Sequence, residues 1–255
     1  METFWSHCAM LLMLHALIWY GVSVWYKRND VADLAWGAGG ALCAMYVLIQ
    51  LPPAGSAKWV PVLIMLWGIR LAIYLFLRNR GKDEDYRYRQ WRDSWGRWFM
   101  LRSFLQVFIL QTLLLAVIVL PPLYISCSRL DGWSWLSWMG LFFWITGFYF
   151  QVAGDWQLSR FIRHKPYPGA ILQSGVWRYT RHPNYFGELM MWWGLFLMVV
   201  PVHGAWWAII SPITITWLIL FVSGIPLLEQ KYAHQPEYLD YKRRTNALVP
   251  WWPKN

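Results

Sequence analysis

The stretch SFLQVFILQTLLLAVIVLPPLYI, residues 103–125, carries no charged side chain over 23 positions. A helix of that length rises roughly 35 Å at ~1.5 Å per residue, enough to cross a hydrocarbon core of ~30 Å. Working outward, six more apolar runs follow the same pattern, at approximately 6–26, 34–51, 59–77, 133–153, 186–203 and 205–226. The sequence therefore predicts an all-α membrane protein, a seven-transmembrane helix bundle forming a single integral membrane domain over residues 1–255. Pro52-Pro53, Pro121-Pro122, Pro201 and Pro226 sit at run ends, where proline is expected to break helices.

Composition agrees. The chain is 58% apolar and only 14% charged, against about 25% charged for soluble domains. Many of its 22 tryptophans sit near the ends of the runs, where amphipathic rings favour the headgroup level. The net charge of +10 would suggest nucleic acid in a soluble protein; here it fits cytoplasmic loops facing anionic lipid, and no nucleic-acid partner is expected. Cys8, Cys43 and Cys127 are far apart in sequence and form no CxxC, so they read as small apolar residues rather than ligands. Glu2 and the lack of Lys or Arg before the first run speak against a cleaved signal, and that run is expected to be a retained span.

The basic residues set the orientation. Lys27 and Arg28 follow the first run. Arg78, Arg80, Lys82, Arg87, Arg89, Arg92, Arg97 and Arg102 separate the third and fourth. Arg160, Arg163, Lys165, Arg178 and Arg181 separate the fifth and sixth. Lys231, Lys242, Arg243, Arg244 and Lys254 follow the seventh. The opposite loops hold only Lys58 and Arg129. The positive-inside rule then places the N-terminus outside and the C-terminus in the cytoplasm. Chemistry is expected in the long cytoplasmic loops, and the membrane is expected to be a bacterial inner membrane.

Three charges lie near that cytoplasmic boundary: Arg70 inside the third run, Asp155 ending the fifth and Glu188 opening the sixth. A charge at membrane depth is costly unless it is paired or faces water. The three suggest either a polar pocket open to the cytosol or a structural ion-pair cluster. Between Asp155 and Glu188 the segment Trp177-Arg178-Tyr179-Thr180-Arg181-His182-Pro183-Asn184-Tyr185 combines forked cations with flat rings and an amide. That mixture suits a nucleotide bearing both phosphates and bases. The segment Gly37-Ala38-Gly39-Gly40 lacks the spacing and the strand of a dinucleotide fingerprint and reads as close helix packing. No metal-ligand cluster is apparent, and no metal is expected.

The segment Trp177 to Glu188, continued by Trp192-Trp193-Gly194, resembles the signature of the DUF1295 family of membrane proteins. That family is similar to the steroid 5α-reductases, and more distantly to sterol C14-reductases and isoprenylcysteine carboxyl methyltransferases. Asp33 with Trp36-Gly37, Arg70, Glu84-Asp85-Tyr86-Arg87, Asp155 with Gln157, Glu229, and the tail from Tyr241 through Thr245 to Pro250 extend the resemblance over about residues 30–250. It implies a seven-span fold that holds NADPH at its cytoplasmic side. Arg70, Asp155, Asn184 and Glu188 match positions that contact the dinucleotide, and Trp177, Arg178, Arg181, His182, Tyr185 and Tyr241 complete the expected cofactor-binding set. A lipophilic enone would enter from the bilayer and be reduced at its C=C bond while an acidic group polarises the carbonyl. The substrate half matches less well. Where steroid 5α-reductases use a Glu and a Tyr, this chain carries Gln50 or Leu51 and Trp67. Gln50, Tyr46 and Tyr86 are the candidate catalytic groups, with Tyr74 a further substitute. Two alternatives remain: an S-adenosylmethionine-dependent methyltransferase of a prenylated or lipid acceptor, and a non-enzymatic lipid-binding or transport protein.

Overall fold

The computed structural model describes residues 3–128, 132–167 and 169–254; Glu2 and Arg129, named above, lie outside them. Helices α1 (Phe4–Tyr26), α2 (Val31–Gln50) and α3 (Trp59–Asn79) are followed by a short polar helix α4 (Tyr86–Trp95), then α5 (Phe99–Arg102), a π-helical segment Ser103–Ile109 and α6 (Leu110–Ser126). Next come α7 (Trp135–Arg163), α8 (Pro183–Val199), α9 (Ile210–Trp217), α10 (Ile225–Lys231) and α11 (Pro236–Arg244). No strand occurs among the described residues.

Among the described residues six helical stretches are long and apolar enough to cross a membrane: Phe4–Tyr26, Val31–Gln50, Gly55–Asn79, Tyr86–Ser126, Trp135–Arg163 and Ala205–Lys231. The chain is a multi-pass integral membrane protein. The sixth of the seven expected runs is helical, but α8 is only 17 residues long and is not among the six. Many apolar side chains on the spanning helices are exposed, among them Trp25, Ile49, Phe142 and Phe221, as lipid-facing surfaces require.

One expectation is corrected. Pro121 and Pro122 do not end a helix but lie inside α6, which runs on to Ser126. Each lacks only its own N–H, so the loss falls on carbonyls one turn earlier, near the helix end, and transmembrane helices tolerate it. Pro226 is also not a terminator, since it sits in the first turn of α10, where its missing N–H is not needed.

The contacts group into two compact units, one comprising residues 1–133 and 202–210, the other 134–201 and 211–255. In the first unit α2 and α3 meet where Gly37 faces Gly68; a Cβ on Gly68 would stand 2.4 Å from the Gly37 carbonyl oxygen. One end of this unit is closed by a polar network. Lys27 caps α1 in the left-handed region at φ 53°, and Arg28 N–H bonds back to the Ser23 carbonyl at 3.1 Å, a Schellman-type finish. The buried Asn29 then accepts from Ser23 Oγ, donates to Ser103 Oγ, and gives its N–H to Glu84 Oε1, all at 2.6 Å. Glu84 is also held by Arg92 at 3.0 Å. Asp85 caps α4 by accepting from Arg87 N–H at 3.0 Å, and the buried Tyr88 donates to Asp33 at 2.8 Å. Burial alone would raise the Asp85 pKa, but the side-chain and backbone hydrogen bonds of Arg87 hold it below the usual carboxylate range.

The second unit is built on a hairpin of α7 and α8. Gly140, Gly147 and Gly154 recur every seven residues along α7 and meet Gly194, Gly187 and Pro183 in turn. A repeat of seven keeps one stripe of a helix against its partner, and small residues let the backbones touch. At Gly187 a Cβ would fall 2.3 Å from the Gly147 carbonyl oxygen and 2.6 Å from Gln151 N.

Candidate functional site

That glycine ladder sets the register of the polar residues in the second unit. One turn beyond Gly147, Gln151 donates from Nε2 to Glu188 Oε2, and Trp192 Nε1 donates to Glu188 Oε1 at 2.9 Å. One turn further, Asn184 Nδ2 donates to Asp155 Oδ1 at 3.3 Å, beside Gly154. Asp155 and Glu188 are 4% and 7% exposed, so two carboxylates are buried within apolar helices, each served by amide or indole donors. An ionised carboxylate survives such burial only when hydrogen-bonded or paired.

Above them lies the segment 175–182. Trp177 Nε1 donates to the Gly154 carbonyl at 3.1 Å, and Gln157 Oε1 accepts from Val176 N–H at 3.0 Å. Together these pin the loop onto α7. Gly175, at φ 63°, lies so close to Gln157 that a Cβ would fall 2.4 Å from its Oε1. Arg178 is exposed and Tyr179 is half-buried.

Arg181 faces inward. It is 7% exposed; Nε donates to Glu229 Oε1 at 3.1 Å and Nη2 to the same oxygen. Its Nη1 donates to the carbonyls of Lys242, at 3.2 Å, and Thr245. Lys242 Nζ reaches the other oxygen of Glu229 at 2.6 Å. Tyr241 Oη donates to the carbonyl of Trp177 and lies 3.3 Å from that of Thr180. Arg181 N–H donates to Asn246 O, and Trp251 N–H to Tyr179 O, both at 2.9 Å. Arg181 and Tyr241 thus fasten the loop to the C-terminal tail, and their polar atoms are engaged by protein rather than presented outward. Glu229, which the resemblance matches but the expected cofactor-binding set leaves out, and Lys242 complete this fastening.

His182 stacks on Tyr185, with ring centroids 5.5 Å apart, and its Nε2 lies 3.6 Å from Glu229 Oε1. Burial pushes its pKa below the ordinary value, and the nearby carboxylate only partly opposes this. Folded His182 is therefore neutral near pH 7, while the unfolded chain takes up its proton near pH ~6.5. Stability is whole above that value and is lost as pH falls below it. The thermal midpoint should drop between about pH 7 and pH 5, and His182→Gln should flatten that slope. An unchanged slope in the variant would show that His182 does not carry it.

The remaining candidates lie in the first unit. Arg70 is partly buried on α3, 5.2 Å from the Tyr74 ring centroid. The three candidate catalytic groups do not come together. Tyr86 opens α4 and is 40% exposed, at the end of the unit where its neighbour Tyr88 bonds Asp33. Tyr46 Oη bonds His7 Nδ1 at 2.8 Å, and Gln50 is exposed at the far end of α2. From Asp33 to Tyr46 along α2 is roughly 20 Å at ~1.5 Å per residue, so Tyr86 cannot share a carbonyl with the other two. Trp67 is 1% exposed and packs against Gly40. Among the described residues no group of three or more His, Cys, Asp or Glu is placed to hold a metal ion.

A family model described as a protein of unknown function (DUF1295) matches residues 19–245. The uncharacterized protein C594.04c of Schizosaccharomyces pombe is 24% identical over 216 aligned positions, covering 72% of this chain and 61% of that protein. The chain thus spans about three fifths of the length of that relative. No solved structure matches.

Proposed function

We propose that this chain, which belongs to the DUF1295 family over residues 19–245, is an NADPH-dependent reductase of a C=C bond in a steroid-like or other lipophilic enone. The observation that carries this reading is the pair of buried carboxylates. Asp155 with Asn184, and Glu188 with Gln151, stand one turn apart on the facing stripes of α7 and α8, beneath a loop rich in rings. Carboxylates and amides of this kind suit the hydroxyls of a ribose and the carboxamide of a nicotinamide. Trp177 and Tyr185 offer stacking faces, and the exposed Arg178 suits a phosphate. NADPH, when bound, would supply the hydride. The protein's part is to orient the cofactor, keep water from the reacting face and polarise the enone carbonyl. In this reading α8 is a seventh, short span, the N-terminus is outside, and the cofactor site faces the cytoplasm.

One observation favours a second reading. Arg181, half of the forked pair that suited a pyrophosphate, is spent on Glu229 and two carbonyls. S-adenosylmethionine carries no phosphate and has a sulfonium that suits carboxylates and aromatic rings, so a methyltransferase would lose nothing by this.

Calorimetry on the purified protein with NADPH, NADH and S-adenosylmethionine separates the two. Selective NADPH binding is expected, weakened at least about tenfold by Glu188→Gln, the loss of a charged hydrogen-bond partner costing ~1.5–3 kcal/mol. Binding of S-adenosylmethionine alone would move the chain to the second reading, and binding of none would leave both without support.

A further inference from the structure

The segment joining α3 to α6 keeps a basic surface after folding, because its paired groups leave five cations exposed against two acids. Residues 78–102 contain eight basic and four acidic side chains. Glu84 is taken up by Arg92 and by Asn29 N–H, and Asp85 by Arg87. The exposed residues are Arg80, Lys82, Arg89, Arg97 and Arg102 against Asp83 and Asp93. Of these five cations, among the described residues, Arg89 alone has an acid within reach, Asp83 at 3.4 Å.

The same face is aromatic and apolar. Trp98 is 52% exposed, and Met100 and Leu101 are about as open; Arg97 lies 5.5 Å from the Trp98 ring centroid. Trp91 stacks on Trp95 at 5.4 Å. The helix continues from Phe99 directly into the apolar span, through the exposed Leu105, Leu110 and Leu113. Arg97 and Arg102 therefore stand where the lipid-facing surface begins. Tryptophan favours that level, and a phosphodiester meets arginine there as a forked, charge-assisted partner.

We propose that the elbow around Arg97, Trp98 and Arg102 is a binding site for an anionic phospholipid of the surrounding leaflet. Charge complementarity and continuity with the lipid-facing span select this occupant over a protein partner. The proposal does not depend on the enzymatic reading.

The test is lipid retention by the full-length protein in detergent, read by native mass spectrometry with phosphatidylglycerol and phosphatidylcholine offered in equal amounts. The wild type should retain phosphatidylglycerol with a preference of at least about tenfold, each surface cation adding several-fold. Arg97→Gln with Arg102→Gln should abolish that preference while leaving the lipid-free thermal midpoint unchanged, since neither arginine has an ion-pair partner among the described residues. Equal retention of the two lipids, or an undiminished preference in the double variant, would overturn the site. So would inorganic phosphate reproducing the thermal shift caused by phosphatidylglycerol, because that would make it an anion site and not a lipid site. Should the double variant fail to fold, Arg97→Gln alone should lower the preference several-fold, and an undiminished preference in that variant would overturn the site equally.

Discussion

Gly187→Ala is expected to destabilise the protein by about 3 kcal/mol or more, at the upper end of what overpacking costs, whereas Gly21→Ala should be neutral or slightly stabilising. The substitution is chemically the same and both sites are helical. At Gly21 an added Cβ meets nothing within 4 Å, and alanine is the better helix former by ~1 kcal/mol. At Gly187 it would stand 2.3 Å from the Gly147 carbonyl oxygen and 2.6 Å from Gln151 N. Both are backbone atoms, so neither can rotate away, and α7 and α8 must move apart. Within lipid no hydrophobic force draws two helices together, so close backbone packing is most of what holds them. Separation also breaks the Gln151 to Glu188 bond that this contact aligns, leaving a buried carboxylate with fewer donors. Thermal midpoints of the two variants in one detergent would check this. Equal midpoints for Gly187→Ala and wild type would mean that the ladder does not hold the hairpin.

Hydropathy alone made the membrane class legible, because a run such as 103–125 has no other stable environment. It was less good at ends and at polar helices. The sixth run was read from Phe186, yet α8 begins at Pro183; proline in a first turn is a start signal, but a hydropathy pattern does not see it. The segment 80–102 reads as a solvated loop by charge, and only the cap at Asp85 betrays the helix that follows. The grouping of Gly140, Gly147 and Gly154 was visible as a spacing, but the partner stripe on α8 had to be known before it meant contact. For the site, the sequence placed Arg70, Asp155 and Glu188 near one boundary; the structure pairs Asp155 with Asn184 and Glu188 with Gln151 in the second unit, and Arg70 belongs to the first. It could not tell which arginine faces inward. Arg178 and Arg181 are alike in composition and three positions apart; what separates them is Glu229, 48 residues further on, and long-range pairing leaves no local trace. Tyr46 and Tyr86, offered as alternative acids, lie on different helices, and depth along a helix is not written in the local sequence that suggested them.

Arg181→Ala should cost about 3–5 kcal/mol, the range for removing one partner of a buried ion pair, and a fall of roughly 10 °C in thermal midpoint for a chain of this size. The guanidinium serves three groups at once. Without it Glu229 keeps Lys242 and the more distant His182 as cationic or ring partners, and the carbonyls of Lys242 and Thr245 lose their donor. Arg181→Lys should recover little, because one ammonium cannot span a carboxylate and two carbonyls in the planar fork that arginine provides. The tail should loosen as a unit, so that hydrogen exchange rises over residues 245–254, where Asn246 and Trp251 are tied to the loop. The double variant Arg181→Met with Glu229→Leu distinguishes holding from cofactor contact. If Arg181 holds the loop, removing the carboxylate together with the cation should return part of the lost stability, since an apolar pair of similar volume is often no worse than a buried ion pair. Unaltered stability in Arg181→Ala, with nucleotide affinity alone reduced, would instead make Arg181 a ligand of the cofactor, and the loop would then owe its shape to Tyr241 and Thr180 rather than to the Glu229 hub.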